Sequence, residues 1–351
     1  MALKVNIKTV AKRAGVSPAT VSRVLNSPEL VGEDTKARVL SAMEELSYQP
    51  NDIARALSSK KTHTIGVIVP GISNQFFVDL HKGIHATASE NGIDVLLYDA
   101  QRPTGNVMDG FYSLRKRQID GIIFSSAYLT EEYDLVISRI GIPVVLVLTE
   151  SARSRLTAFK VDDIRACFDA TSYLVSRGHR NIAMISGPFS DRVAGQSRYH
   201  GYCLGLKHHD ILVRQELVVE AEYFRFQNGY DAMNQLLARP NAPPFTAVFA
   251  ASDELALGAM RALYETGIRV PEDVSVMGFD DVSIAGMVTP KLTTVAQPFY
   301  QIGARAVKAL LDIIEGKPER LPSGVHYMPH QVIGRESVTT VPIQSVSRME
   351  L

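Results

Sequence analysis

Apolar positions recur along this chain at two different periods, and the period changes near residue 64. Up to residue 46 the spacing is helical. Ile7, Val10, Ala11 and Ala14 fall on one face, Val21, Val24 and Leu25 on a second, and Ala37, Val39, Leu40, Met43 and Leu46 on a third. Gly15 breaks the first run. Ser17 followed by Pro18 reads as the N-cap and first position of the next helix, where proline's missing N–H costs nothing. Tyr48 to Asn51 is another break, and 52–59 is a run of helix formers carrying Leu57 that is too short to be stable alone. Such a segment folds only against something else, as coupled folding on a nucleic acid allows.

From residue 64 the pattern becomes short apolar runs alternating with amphipathic stretches. Runs at 64–70, 93–98, 119–125 and 143–148 predict buried strands, with helices near 76–91, 105–117 and 131–140 between them. A second set follows, with strands at 182–186, 217–219, 247–251 and 274–278 and helices near 163–177, 195–208, 227–238 and 253–266. Each set is a doubly wound parallel unit, and the carboxyl ends of its strands are where ligands bind. The segment 298–316 is expected to return to the first unit. In the N-terminal part, two short helices joined by a turn holding Gly15 match a helix-turn-helix, whose second helix lies in the DNA major groove.

The predicted fold class is therefore an N-terminal all-α helix-turn-helix headpiece followed by an α/β core of two doubly wound parallel-sheet subdomains. The headpiece is expected at 1–49, a hinge helix and linker at 50–63, and the core at 64–337. Within the core one subdomain takes about 64–160 and 298–326, the other about 161–297 and 327–337, and a tail occupies 338–351.

Charge sharpens this picture. The 351 residues are neutral overall, yet residues 1–63 hold ten Lys and Arg against six Asp and Glu, the bias of a segment that meets a polyanion. No stretch approaches the roughly 18 apolar residues of a membrane span. The N-terminus shows no apolar signal region, so a cytoplasmic protein without membrane contact is expected. Cys167 and Cys203 are too few for a disulfide framework and lack metal-site spacing. No Walker loop, Gly-x-Ser-x-Gly or Gly-x-Gly-x-x-Gly is present, so neither an enzyme nor a cofactor is expected. His81 and His85 could share a metal on one helix face but have no evident third ligand, so no metal site is expected either.

Specific strings carry a resemblance. Ile7-Lys8-Thr9-Val10-Ala11, Ala14-Gly15-Val16-Ser17, Thr20 to Asn26, Tyr48-Gln49-Pro50-Asn51 and Ala54-Arg55-Ala56-Leu57 resemble the headpiece and hinge of the lactose-repressor (LacI/GalR) family. Arg177-Gly178-His179, Ser186-Gly187-Pro188, Ser252-Asp253, Gly278-Phe279-Asp280-Asp281 and Gln297-Pro298 extend the likeness through a core similar to type I periplasmic binding proteins. The resemblance implies a DNA-binding repressor of carbohydrate-utilisation genes. It places Pro18, Ala19 and Arg23 at base-reading positions, Leu57 as the wedge that kinks the minor groove, and Thr20, Ser22, Asn26, Tyr48 and Asn51 on phosphates. Gly32 departs from the serine N-cap usual for the third helix, a substitution costing a few tenths of a kcal/mol.

The same resemblance implies an effector cleft lined by Asn74, Phe77, Phe159, Arg198, Phe224, Ser252, Asp280 and Gln297, with Asp280 and Arg198 clamping ligand hydroxyls. The implied partners are a small sugar or sugar derivative, a pseudopalindromic double-stranded operator and a second copy of the chain. The tail lacks leucine heptads, so a dimer rather than a tetramer is expected. Leu148 stands where several sugar-binding relatives have a carboxylate. Together with Tyr300-Gln301-Ile302-Gly303, it admits an alternative, a catabolite-control-type regulator whose corepressor is a phosphocarrier protein. A sugar-transport component would share the core but not the headpiece.

Overall fold

The computed structural model describes residues 6–48, 61–100, 106–125, 131–151, 156–240, 243–317 and 322–341. Position 26 is described for its backbone alone. The expected hinge helix, with Asn51 and Leu57, lies outside the described residues, as does the tail from 342 onward. The described residues fall into two compact units, one within 1–62 and one within 63–351.

The first unit holds helices Ile7–Ala14 (α1), Pro18–Asn26 (α2) and Glu33–Glu45 (α3). The Asn6 side-chain oxygen accepts from the backbone N–H groups of Lys8 and Thr9 and starts α1. Gly15, at φ 65°, ends it in the left-handed region that a side chain resists. Ser17 Oγ accepts from the Thr20 backbone N–H at 3.1 Å, and Pro18 opens α2, as the spacing predicts. Gly32 precedes α3 without a side-chain cap. Val10, Ala11, Ala14, Val21, Val24, Val39 and Ala42 form the core. The third stripe is displaced from its prediction. Val39, Ala42, Met43 and Leu46 face inward, whereas Ala37 and Leu40 are exposed. The inward set follows i, i+3, i+4, i+7, and Leu40 lies one residue, roughly 100° of helix, off that row.

In the second unit, β1 (Thr64–Val69), β2 (Asp94–Asp99), β3 (Gly121–Ser125) and β4 (Val144–Val147) alternate with α4 (Phe76–Glu90), α5 (Val107–Lys116) and α6 (Glu131–Ile140). There follow β5 (Ala158–Val161), α7 (Asp163–Ser176), β6 (Ile182–Ser186), and a π-helical turn at Arg192–Gln196 that runs into α8 (Ser197–His208). Next come β7 (Val218–Glu220), α9 (Phe226–Leu237), β8 (Ala247–Ala250), α10 (Asp253–Glu265) and β9 (Ser275–Met277). The described part closes with β10 (Thr294–Ala296), α11 (Phe299–Ile314), β11 (Val325–Met328) and β12 (Gln331–Ile333).

Two parallel sheets result, ordered β11-β5-β4-β3-β1-β2 and β7-β6-β8-β9, with β10 and β12 paired antiparallel. The chain passes between the two halves at 161–163, 296–299 and 328–331. Helix α11 returns to the first half and packs on α4 so closely that a Cβ on Gly83 would stand 2.0 Å from the Tyr300 carbonyl oxygen. Strands β5, β10, β11 and β12 are not predicted by periodicity. Each is three or four residues long, and each becomes a strand through a distant partner, as when Val325 pairs with Ala158.

Candidate functional site

On the headpiece, Pro18, Ala19 and Arg23 are exposed on α2, while Thr20 and Ser22 are half-buried. Thr20 Oγ1 shares a 2.9 Å hydrogen bond with Ser17 Oγ. Tyr48 packs at the edge of the headpiece core. Arg13 pairs with Glu45, tying α1 to α3 behind this face. The outward surface of α2 thus offers one guanidinium, able to fork onto a guanine edge, beside two small apolar contacts.

In the second unit a cleft of about 260 Å³ lies between the two halves. Asn74, Arg198, Phe224, Ser252, Asp280 and Gln297 line it. Phe77 and Phe159 do not, which corrects the expectation for both. Phe77 begins the buried face of α4, and the neighbouring Phe76 takes the cleft side, its ring stacked 5.7 Å from that of Phe299. Phe159 belongs to β5, a strand buried on both faces, where its ring stacks on His326 at 5.4 Å. The Phe224 ring is in place, and only glycine at 187 permits it, since a Cβ there would fall 2.0 Å from the ring.

The polar centre is a chain of buried charges. Arg198 Nε donates to Asp163 Oδ1 at 2.8 Å and its Nη1 to the Ala251 carbonyl oxygen at 2.6 Å, and Asp280 Oδ1 stands 3.7 Å from Nη1. The guanidinium also lies 3.9 Å from the centre of the Phe279 ring. Burial opposes its charge, but Asp163 and Asp280 overcome this and hold it above its ordinary value. Gln297 Nε2 donates to Asp280 Oδ1 at 2.8 Å. Burial nevertheless pushes the Asp280 carboxyl up to about 6 against the pull of Arg198 and this hydrogen bond. Behind Arg198, Lys160 Nζ lies 3.1 Å from Asp163 and 3.7 Å from Glu150, and these acids keep its ammonium charged despite burial.

Asp253, fully buried next to the cleft-lining Ser252, accepts from Thr294 Oγ1 at 2.5 Å and from the Val282 N–H at 2.9 Å. It thereby braces the loop that carries Asp280, and burial beside Asp280 holds its own carboxyl well above the usual range. Asp280 and Leu148, both on the cleft wall, have φ of 118° and 56°, a strained backbone of the kind that collects at functional sites. Across the cleft mouth, Arg225 Nη2 donates to Ser73 Oγ at 3.1 Å, and the Gln75 N–H donates to Glu254. Sequence reasoning missed Asp163, Lys160, Arg225 and Glu254. Asp162-Asp163 reads simply as a helix start, and no local signal shows which cation a distant carboxylate meets.

The helical headpiece and the two-sheet core each match a family model. Residues 6–51 match "Bacterial regulatory proteins, lacI family", and residues 171–338 match "Periplasmic binding protein-like domain". Over 335 residues the chain is 36% identical to catabolite control protein A of Priestia megaterium, covering 95% of this chain and 99% of that protein. The chain belongs to the lacI family of bacterial regulatory proteins. Another family member, the HTH-type transcriptional repressor CytR of Escherichia coli (strain K12), is 35% identical over 336 residues, 96% of this chain and 97% of that protein. Among solved structures, the lac repressor dimer bound to operator and the anti-inducer ONPF superposes with a TM-score of 0.84 at 27% identity, covering 95% of this chain and 99% of that one. The CelR-cellobiose complex does so at 0.70 and 31%, covering 95% and 100%. Like these relatives the chain is a transcription regulator, with a DNA-binding headpiece and a parallel-sheet core. Among the described residues no helix is long and apolar enough to cross a membrane.

Proposed function

We propose that this family member represses carbohydrate-utilisation genes as a cytoplasmic homodimer on a pseudopalindromic operator, under the control of a sugar or sugar derivative held in the cleft. The observation that carries this reading is the aromatic-walled cleft centred on Arg198 and Asp280, in a chain whose headpiece exposes Arg23 on α2. Asp280, Asn74, Ser252 and Gln297 offer hydrogen bonds to ligand hydroxyls, and Phe224 offers a flat apolar face. On DNA, Pro18, Ala19 and Arg23 read base edges, Leu57 opens the central minor groove, and Thr20, Ser22, Asn26, Tyr48 and Asn51 hold phosphates. Two structural relatives support it: the lac repressor dimer is bound to operator and the anti-inducer ONPF, and CelR is in complex with cellobiose. An effector shifts the protein only through unequal affinity for its open and closed states.

Fluorescence anisotropy of the full chain on DNA from upstream of its own gene, titrated with sugars, tests the reading. A severalfold shift by one sugar is the expected result. DNA binding that no sugar changes favours instead the phosphocarrier corepressor. That second reading draws on apolar Leu148 in the cleft wall, on Tyr300 and Gln301 exposed at the start of α11, and on the similarity to catabolite control protein A. Addition of a phosphocarrier protein to the same titration separates the two.

A further inference from the structure

The buried charges around the cleft bear on which ligands it admits. Its wall holds the carboxylates of Asp191, Glu254 and Asp280 and the guanidiniums of Arg198 and Arg225. Both cations are already matched. Arg225 lies 3.7 Å from Glu254, and Arg198 gives Nε to Asp163 and Nη1 to the Ala251 carbonyl oxygen, with Asp280 at 3.7 Å. Lys160, the cation behind them, is taken up by Asp163 and Glu150. A phosphate group is held most strongly by several N–H donors whose positive charge is not already compensated. Here it would enter a low-dielectric space in which carboxylates outnumber cations, where like-charge repulsion is poorly screened. A neutral hydroxyl meets no such barrier. It can donate to Asp280 and accept from the Arg198 guanidinium, both of which line the cleft.

Resting on the reading of this cleft as an effector site, we propose that it admits uncharged polyols and rejects phosphorylated or otherwise anionic ones. Asp163 sets that selectivity by compensating Arg198. It lines no part of the cleft and acts only through the guanidinium it holds. Without its charge, Arg198 keeps the Ala251 carbonyl oxygen and the looser carboxylate of Asp280 alone, and becomes a receptor for anions.

The test is isothermal titration calorimetry of the full chain near pH 8 with matched probes: ribose and ribose 5-phosphate, glucose and glucose 6-phosphate, and sulfate as an anion independent of any sugar. The intact chain is compared with a Lys160→Met/Asp163→Asn double variant, which removes the buried pair together and leaves no orphaned charge at either position. Circular dichroism verifies its fold, and Asp163→Asn alone replaces it if it does not fold. The intact chain is expected to ignore sulfate and both phosphosugars. The variant is expected to gain sulfate binding by roughly tenfold or more, the scale of one hydrogen bond to a charged group. Adding Arg198→Met to the variant is expected to abolish the gain, which locates it at the cleft rather than at the basic headpiece. A phosphosugar binding the intact chain more tightly than its neutral parent overturns the proposal, and so does a folded variant with no gain. Failure of every neutral sugar to bind counts against the effector-site reading alone, because the sulfate comparison still decides the role of Asp163.

Discussion

Asp280 shows in one residue how this cleft trades stability for a site. Its backbone is held at φ 118°, and burial raises its carboxyl from 3.8 to about 6. The native state therefore holds that proton more tightly than the unfolded chain does. The stability this provides is full below 3.8 and is lost as the pH rises through about 6. At ~1.4 kcal/mol per pH unit the loss amounts to at most about 3 kcal/mol. Asp280→Asn, which mimics the neutral acid and keeps an acceptor for Gln297, is expected to melt higher than the parent at pH 8. The difference should shrink toward pH 5, and the response to effector should disappear. Parallel thermal melts across that range check the sign, since a difference independent of pH contradicts the assignment. Asp280 is legible in sequence as the acid following a strand. Its raised pKa is not, because it arises from burial by the enclosing walls against the opposing pull of Arg198 and Gln297, all contributed by residues remote along the chain.

At the scale of elements, α2 and the cleft mouth make separate predictions. The Ser17 hydroxyl satisfies one of the backbone N–H groups that any helix leaves open at its start, and it does so on the helix that carries Arg23. Ser17→Ala is expected to cost about 1 kcal/mol of headpiece stability. The readouts are an earlier loss of helical circular dichroism and weaker operator binding, with effector binding by the core unchanged. Across the mouth, Arg225 joins α9 to the Ser73 loop, a contact made only when the halves are close. Arg225→Ala is expected to weaken effector binding severalfold, in line with roughly 0.5–1.5 kcal/mol for a hydrogen bond. Calorimetry with whichever sugar shifts DNA binding measures this, and an unchanged affinity would show that the contact does not bias closure. Ser17 and Pro18 announce themselves locally. Arg225 does not, because its partners are set by how two sheets meet.

For the whole molecule, the excess of Lys and Arg in residues 1–63 within a chain of zero net charge concentrates attraction for DNA at one end. Operator affinity is expected to fall steeply with salt, by about 0.9 in log affinity per unit of log salt for each phosphate neutralised. Effector binding, which displaces no counterions from a polyanion, should change little over the same range. Titrations at several ionic strengths check both, and a flat operator curve would remove phosphate contact as the source of affinity.

What the sequence determined by itself was everything that depends on near neighbours. The helical period, the caps at Ser17 and Gly15 and the alternation of apolar runs with amphipathic helices specify a small helical module ahead of a doubly wound core. Short motifs such as Gly278-Phe279-Asp280-Asp281 and Ser186-Gly187-Pro188 pointed to the cleft through their resemblance to the lactose-repressor family. Only the tertiary structure decided which of two adjacent phenylalanines, 76 or 77, lines the cleft, since one residue of helix rotation separates core from cleft. It alone made strands of β5 and β10 to β12, whose pairing is long-range. It alone joined Lys160, Asp163, Arg198 and Asp280 into one charge network, because electrostatic partnership depends on distance in space and on exclusion of water, and neither can be read along the chain.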